Sequence, residues 1–211
     1  MDVRPWPSLL LLGPTGSGKT PLGDELERRG FLGGRCAHFD FGSNLRVIAE
    51  NPESANVFTA SECESIRNSL ATGALFEDKD MPMIVKILGR FAEARDLTCD
   101  SLLVLNGLPR HRRQAEGLAG VVAVEWVVRL EASAAVIRER IRLDPGGDRA
   151  TRADDGLEAV ESRLALFCER TVPLVSYYRE RRAHIVEIPV TPAMTAVGAY
   201  QALVERLSID P

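Results

Sequence analysis

The chain has 211 residues, 45% hydrophobic and 27% charged, with a formal net charge of −4. That is enough sequence for one well-buried α/β core and too little for two full-sized catalytic domains, so a single domain is expected. The negative balance argues against a broad nucleic-acid surface, and no run of about 18 apolar residues is present to span a bilayer.

The first apolar run, 8–12, reads as a strand and leads directly into GPTGSGKT at 13–20, which opens a helical pattern over 19–29 that stops at Gly30. Strand, glycine loop and helix in that order point to a bound polyphosphate. Gly13, Gly16 and Gly18 let the backbone turn and approach a ligand closely, so that successive N–H groups, with Thr15 and Ser17 between them, form a concave anion site. Lys19 is a mobile point charge for the β- and γ-phosphates, and the Thr20 hydroxyl sits at the helix N-terminus, where it can ligate Mg²⁺. Pro21 falls in the first helical turn, where a missing N–H costs little.

A second strand is expected at 36–40, followed by FGSNLR and helical stretches at 45–50, 61–72 and 82–95. A third strand, 101–106, runs into NGLPR at 106–110 and a short helix at 112–118. A fourth strand at 121–130, a helix at 133–142, a loop over 143–155 rich in Pro, Gly and Asp, one long helix over 157–182, a strand at 184–190 and a helix at 194–207 complete the chain. Strands alternating with helices imply a parallel sheet covered on both faces, whose ligands gather beyond the C-terminal strand ends. Cys36, Cys63, Cys99 and Cys168 stand far apart without CxxC spacing and are expected to be buried free thiols. With Arg4 as the basic residue ahead of a short apolar run, the N-terminal stretch does not read as a signal peptide, and a cytoplasmic protein is expected.

The segment LNGLPRHRRQAEGL, 105–118, resembles the DGFPR-x-x-x-Q stretch of adenylate kinases and other nucleoside monophosphate kinases. HFDFGSNLR at 38–46 is similar to that family's strand-then-(S/T)GDLLR element. ATGALFED at 71–78 resembles its glycine-leucine-valine-x-D element, RADDGLEAVESRL at 152–164 its lid exit, and VPLVSYYRERR at 172–182 its APLI-x-YY helix. The resemblance covers nearly the whole chain. It implies an α/β P-loop NTPase fold with a five-stranded parallel sheet and helices on both faces. The core would be 1–40, 96–140 and 156–211, with a helical monophosphate-binding insertion over about 41–95 and a short lid over about 141–155.

The resemblance also implies roles. Arg46 and Arg110 would clamp the acceptor phosphate, as planar guanidinium forks do better than lysine. Phe41, Gly42, Gly73, Leu75 and Gly107 would line the acceptor pocket, with the Gln114 amide reading a base edge or else simply exposed on its helix. Arg140, Arg152 and Arg163 would surround the transferring phosphoryl group. There the transition state spreads negative charge, and one arginine is worth about 10³–10⁵ in rate. The implied cofactors are ATP and Mg²⁺, and the implied partner is a nucleoside monophosphate, without nucleic acid or membrane, in a monomeric protein.

Three departures bear on this reading, one being that Thr20 follows Lys19 directly where adenylate kinases usually place a glycine between them. Asn106 replaces the family's aspartate that holds Mg²⁺ through water, and Phe41 stands where adenylate kinases carry a threonine near the acceptor base. Three functions therefore stay open at the level of sequence: a nucleoside monophosphate kinase, a P-loop kinase of a small metabolite, and a nucleotide-binding regulatory protein whose chemistry has weakened.

Overall fold

In the computed structural model, residues 4–98, 100–145 and 157–209 are described. Five parallel strands, β1 (Trp6–Leu12), β2 (Cys36–Asp40), β3 (Leu102–Asn106), β4 (Val122–Glu131) and β5 (His184–Pro189), form one sheet in the order β2-β3-β1-β4-β5. The run Leu9 to Leu12 lies at its centre. Leu10 and Leu12 point into the layer that holds Phe39, Leu103 and Val127, and Leu9 and Leu11 into the layer that holds Leu22, Leu26 and Leu203. A strand buried on both faces needs this unbroken apolar sequence, and the two-residue alternation divides it between the layers. Truncating any of the four to alanine would cost about 2–5 kcal/mol.

Helix α1 (Lys19–Arg29) runs back along one face, burying Leu22 and Leu26, and ends where the Gly30 N–H bonds the Leu26 carbonyl at 2.8 Å. The following helix, α2 (Phe41–Glu50), starts four residues earlier than its apolar spacing suggests. The cause is Asp40, the last residue of β2. Its side chain accepts the Ser43 N–H at 2.8 Å, so the chain passes from strand to helix with no loop. Helix α3 (Ala60–Thr72) begins at a reciprocal Thr59 and Glu62 capping box, and Lys86 on α4 (Met81–Ala94) bonds Glu62 at 2.7 Å, tying these two helices together. α4 lays Met83, Ile84, Ile87 and Leu88 on the sheet.

Helices α5 (Arg112–Leu118) and α6 (Ala134–Leu143) flank β4 in sequence, and the chain is described as far as Pro145 before resuming at α7 (Leu157–Leu166). The single helix expected over 157–182 is broken. α7 passes into a π-helical turn, Phe167–Thr171, before α8 (Pro173–Glu180), and α9 (Ala196–Ile209) closes the chain. Pro173 has no N–H to give the carbonyl of residue 169, and the wider turn, closed by the Val172 N–H on the Phe167 carbonyl at 3.0 Å, absorbs the mismatch. The thiols Cys36, Cys63 and Cys168 are free, and burial, with Glu27 nearby, pushes that of Cys36 up to about 11. The expectation of buried thiols fails at all three, since Cys36 and Cys63 are half-buried and Cys168, in the π turn, is exposed. Cys99 lies outside the described residues, among which no helix is long and apolar enough to cross a membrane.

Candidate active site

The glycine loop leaves the C-terminal end of β1 at the middle of the sheet. Gly16 and Gly18 adopt φ of +85° and +99°, the left-handed region that side chains resist, and the loop they shape lines a cleft of about 260 Å³. No side chain caps α1, so the N–H groups of its first turn stand at the mouth of that cleft. Lys19 folds over the loop, its Nζ donating to the Gly13 and Pro14 carbonyls at 2.7 and 2.9 Å. A Cβ on Gly13 would lie 2.6 Å from Ser17 Oγ, so the glycine is needed for close packing there as well.

Beside the loop, three polar side chains converge. Thr20 Oγ1 donates to Asp40 Oδ2 at 2.7 Å, while Asn106 Nδ2 donates to the same carboxylate oxygen at 2.7 Å and to Thr20 Oγ1 at 3.0 Å. Burial pushes the Asp40 carboxyl up, but the hydrogen bonds from Thr20 and Ser43 more than offset it and hold the group below its ordinary range, so it is ionised at neutral pH. The Asp40 carboxylate and the Thr20 hydroxyl are hard oxygen donors of the kind Mg²⁺ takes, and in number they leave room for water and phosphate, while Asn106 turns its Nδ2 toward both. The donor set fits that cation.

The opposite wall is built around Arg110. Burial, with the Arg163 guanidinium nearby, pushes its own guanidinium down to about 10, yet among the described residues no carboxylate pairs with it. A half-buried cation crowded by a second one suits an anion. Its backbone is held at both ends, the N–H by Gln114 Oε1 and the carbonyl by Thr171 Oγ1, each at 2.8 Å. Gln114 is buried, and its Nε2 donates to the Phe76 carbonyl at 2.8 Å, which also meets His111 Nε2 at 3.0 Å. Phe76 stands edge-on to Phe41, with ring centroids 5.7 Å apart. Arg46 lies exposed at the rim, its Nη2 3.1 Å from Ser43 Oγ.

Gly13, Thr15, Gly16, Gly18, Lys19, Thr20, Phe41, Gly42, Arg46, Gly73, Leu75, Asn106, Gly107, Arg110, Gln114, Arg140 and Arg163 all line this one cleft. Ser17 is buried behind the loop, and Arg152 lies outside the described residues, as do 146–155 of the segment expected to form a lid.

No protein-family model matches the chain. The adenylate kinase of Synechococcus sp. (strain CC9311) is 32% identical over 205 residues, covering 94% of this chain and 95% of that protein. The adenylate kinase of Parasynechococcus marenigrum (strain WH8102) is also 32% identical, covering 95% and 96%, and that of Parvibaculum lavamentivorans 31% over 82% and 80%. The chain belongs to the adenylate kinase family. It is a phosphotransferase enzyme and a nucleotide kinase. The crystal structure of a sugar kinase from Janibacter sp. HTCC2649, with a TM-score of 0.52 at 17% identity over 98% of this chain and 97% of that one, shares the fold.

Against the adenylate kinase pattern, several residues do more than sequence reasoning assigned them. Arg140 is buried, and its guanidinium donates to the Gly16 carbonyl at 3.0 Å and to the Thr191 and Met194 carbonyls at 2.8 Å, stapling the phosphate loop to the segment after β5. Gln114 is buried at the cleft, so of the two expectations for it the exposed one fails. Arg170, in the π turn, reaches Glu77 at 3.1 Å, just ahead of α4. Asp40 was missed altogether, although aspartate is among the residues favoured at a helix N-cap.

Proposed function

We propose that this enzyme transfers the γ-phosphoryl of ATP to a nucleoside monophosphate with Mg²⁺. The observation that supports this reading is a single cleft lined by the glycine loop and Lys19 and also by Arg110 and Arg163, so that two phosphates could be held in one place.

On this reading the loop from Gly13 to Gly18 and Lys19 hold the β- and γ-phosphates, and Arg140 keeps the loop in shape beneath them. Arg46 and Arg110 grip the acceptor phosphate, which aligns its oxygen with the γ-phosphorus. Arg163 and Arg152 add positive charge where negative charge spreads over the equatorial oxygens. Phe41, Gly42, Gly73, Leu75 and Gly107 shape the base and sugar pocket. Gln114 fixes the Arg110 backbone and has one amide N–H and one lone pair left for a base. Thr20 and Asn106 stand at the metal end. Mg²⁺, when bound, would supply charge neutralisation for the polyphosphate. No general base is required, because the acceptor arrives as an ionised phosphate. The same reading describes a monomeric cytoplasmic protein whose insertion, 41–95, and lid, 141–155, close to exclude water, since an open site would lose the phosphoryl group to hydrolysis.

The test is a panel of AMP, GMP, CMP, UMP and dTMP offered with Mg-ATP, followed by chromatography of the products. Formation of ADP together with one nucleoside diphosphate supports the proposal. Phosphorylation of sugars or other alcohols, with none of the monophosphates used, overturns it.

A further inference from the structure

Asp40 and Asn106 are the last residues of two neighbouring parallel strands, and they are direct register partners across the β2–β3 ladder. The family pattern places a carboxylate at the end of β3, where this chain has a neutral amide. One strand over, at the same height, stands the carboxylate of Asp40. We propose that the metal-holding carboxylate of this enzyme is Asp40, displaced by one strand from its expected place, and that Asn106 is a positioning residue that aims it.

Three contacts carry this assignment. Asp40 Oδ2 meets the Thr20 hydroxyl, the loop residue expected to touch the cation, at 2.7 Å. Asn106 presents its Nδ2 to both Thr20 Oγ1 and Asp40 Oδ2, and an N–H donor face cannot ligate a cation, though it can hold an oxygen that does. Asp40 Oδ1 is tied to the Ser43 N–H, which fixes the plane of the carboxylate and leaves Oδ2 directed at the loop. Among the described residues the cleft's acidic side chains are Asp40 and Asp144, and of these Asp40 is the one bonded to Thr20. Mg²⁺ is commonly held by one or two carboxylates, with water and phosphate oxygens completing its shell, so one well-fixed carboxylate beside a hydroxyl is a sufficient protein contribution. Losing the aspartate at 106 has therefore moved the charge and not removed it. The identity of the cation rests on the phosphoryl-transfer reading; the identity of its carboxylate does not rest on which acceptor is used.

The probe is Mn²⁺, with its binding to the ADP complex followed by electron paramagnetic resonance and metal-free ADP binding followed separately by calorimetry in the presence of a chelator. Asp40→Asn keeps the shape and the helix cap, because asparagine caps as well as aspartate; a thermal melt checks the fold. We expect the Mn²⁺ affinity to fall at least 10-fold in D40N, with metal-free ADP binding within 2-fold of wild type. The exchange variant D40N/N106D, which returns the carboxylate to β3, should recover most of that affinity, and N106A should show a smaller loss than D40N. Wild-type Mn²⁺ affinity in D40N overturns the proposal, including the case in which that variant loses phosphorylation of an alcohol and so reveals a general base. Asp40-dependent Mn²⁺ binding in a protein that phosphorylates no monophosphate would overturn the acceptor reading alone and leave this assignment standing.

Discussion

The Oε1 of Gln114 accepts the backbone N–H of Arg110 at 2.8 Å, and the Thr171 hydroxyl donates to the carbonyl of the same residue at the same distance. Arg110 thus projects from a peptide unit fixed on both sides, and its guanidinium gains direction from groups that need not touch substrate. Gln114→Ala leaves that N–H without its partner in a buried wall. A loss of about 1–3 kcal/mol is expected by denaturant titration, with a higher KM for the monophosphate and an unchanged KM for ATP. A rise in the ATP KM alone would contradict the arrangement.

Lys19 gathers the Gly13 and Pro14 carbonyls around its ammonium group, at the edge of the loop it serves. Lys19→Ala should retain the fold by circular dichroism and lower kcat about 10²–10³-fold, the scale set by removing one charge-stabilising donor.

Gly23 on α1 lies against the ring of His38, whose side chain is 3% exposed and bonded to Asp24. A Cβ at Gly23 would fall 2.2 Å from Nε2 of that ring, with no free space to relax into. Gly23→Ala should cost about 1–3 kcal/mol and lower Tm by several degrees. Gly89, inside α4, meets nothing within 4 Å, and Gly89→Ala should instead stabilise by up to about 1 kcal/mol. Calorimetric melts of the two variants should therefore move in opposite directions.

Hydrogen bonding from Arg28, against a smaller opposing effect of burial and with help from Arg29, pulls the Glu25 carboxyl from 4.5 down to about 2. A folded-state value below the unfolded one contributes stability above pH 4.5 that is lost as the pH falls toward 2. Arg28 is exposed, so solvent screening keeps the contribution small. Glu25→Gln should lose that small contribution at pH 7 and converge with wild type as the pH falls toward 2, which flattens the acid limb, as read from melts at pH 7, 4 and 3.

The glycine loop, the strand ends and the paired Arg110 and Gln114 were visible in the sequence, because each is a local pattern with a fixed spacing. What escaped is either a switch between periods or a contact over long separation. The start of α2 at Phe41 hides behind the cap on the last strand residue, where the helical spacing of apolar residues has yet to begin. The break before Pro173 hides inside an apolar pattern that continues on both sides of it. The Arg140 staple joins Gly16 to the chain near Thr191, and the Asp40 carboxylate meets Asn106 only through strand pairing. Neither has a signature along the chain.

Kinetics of Arg110→Ala bear most directly on the existence of two facing anion seats. With wild type and variant assayed against varied monophosphate at saturating Mg-ATP, and the reverse, the acceptor KM should rise at least 10-fold while the KM for ATP stays within 2-fold. An unchanged acceptor KM, or a loss that falls equally on ATP, would contradict the account.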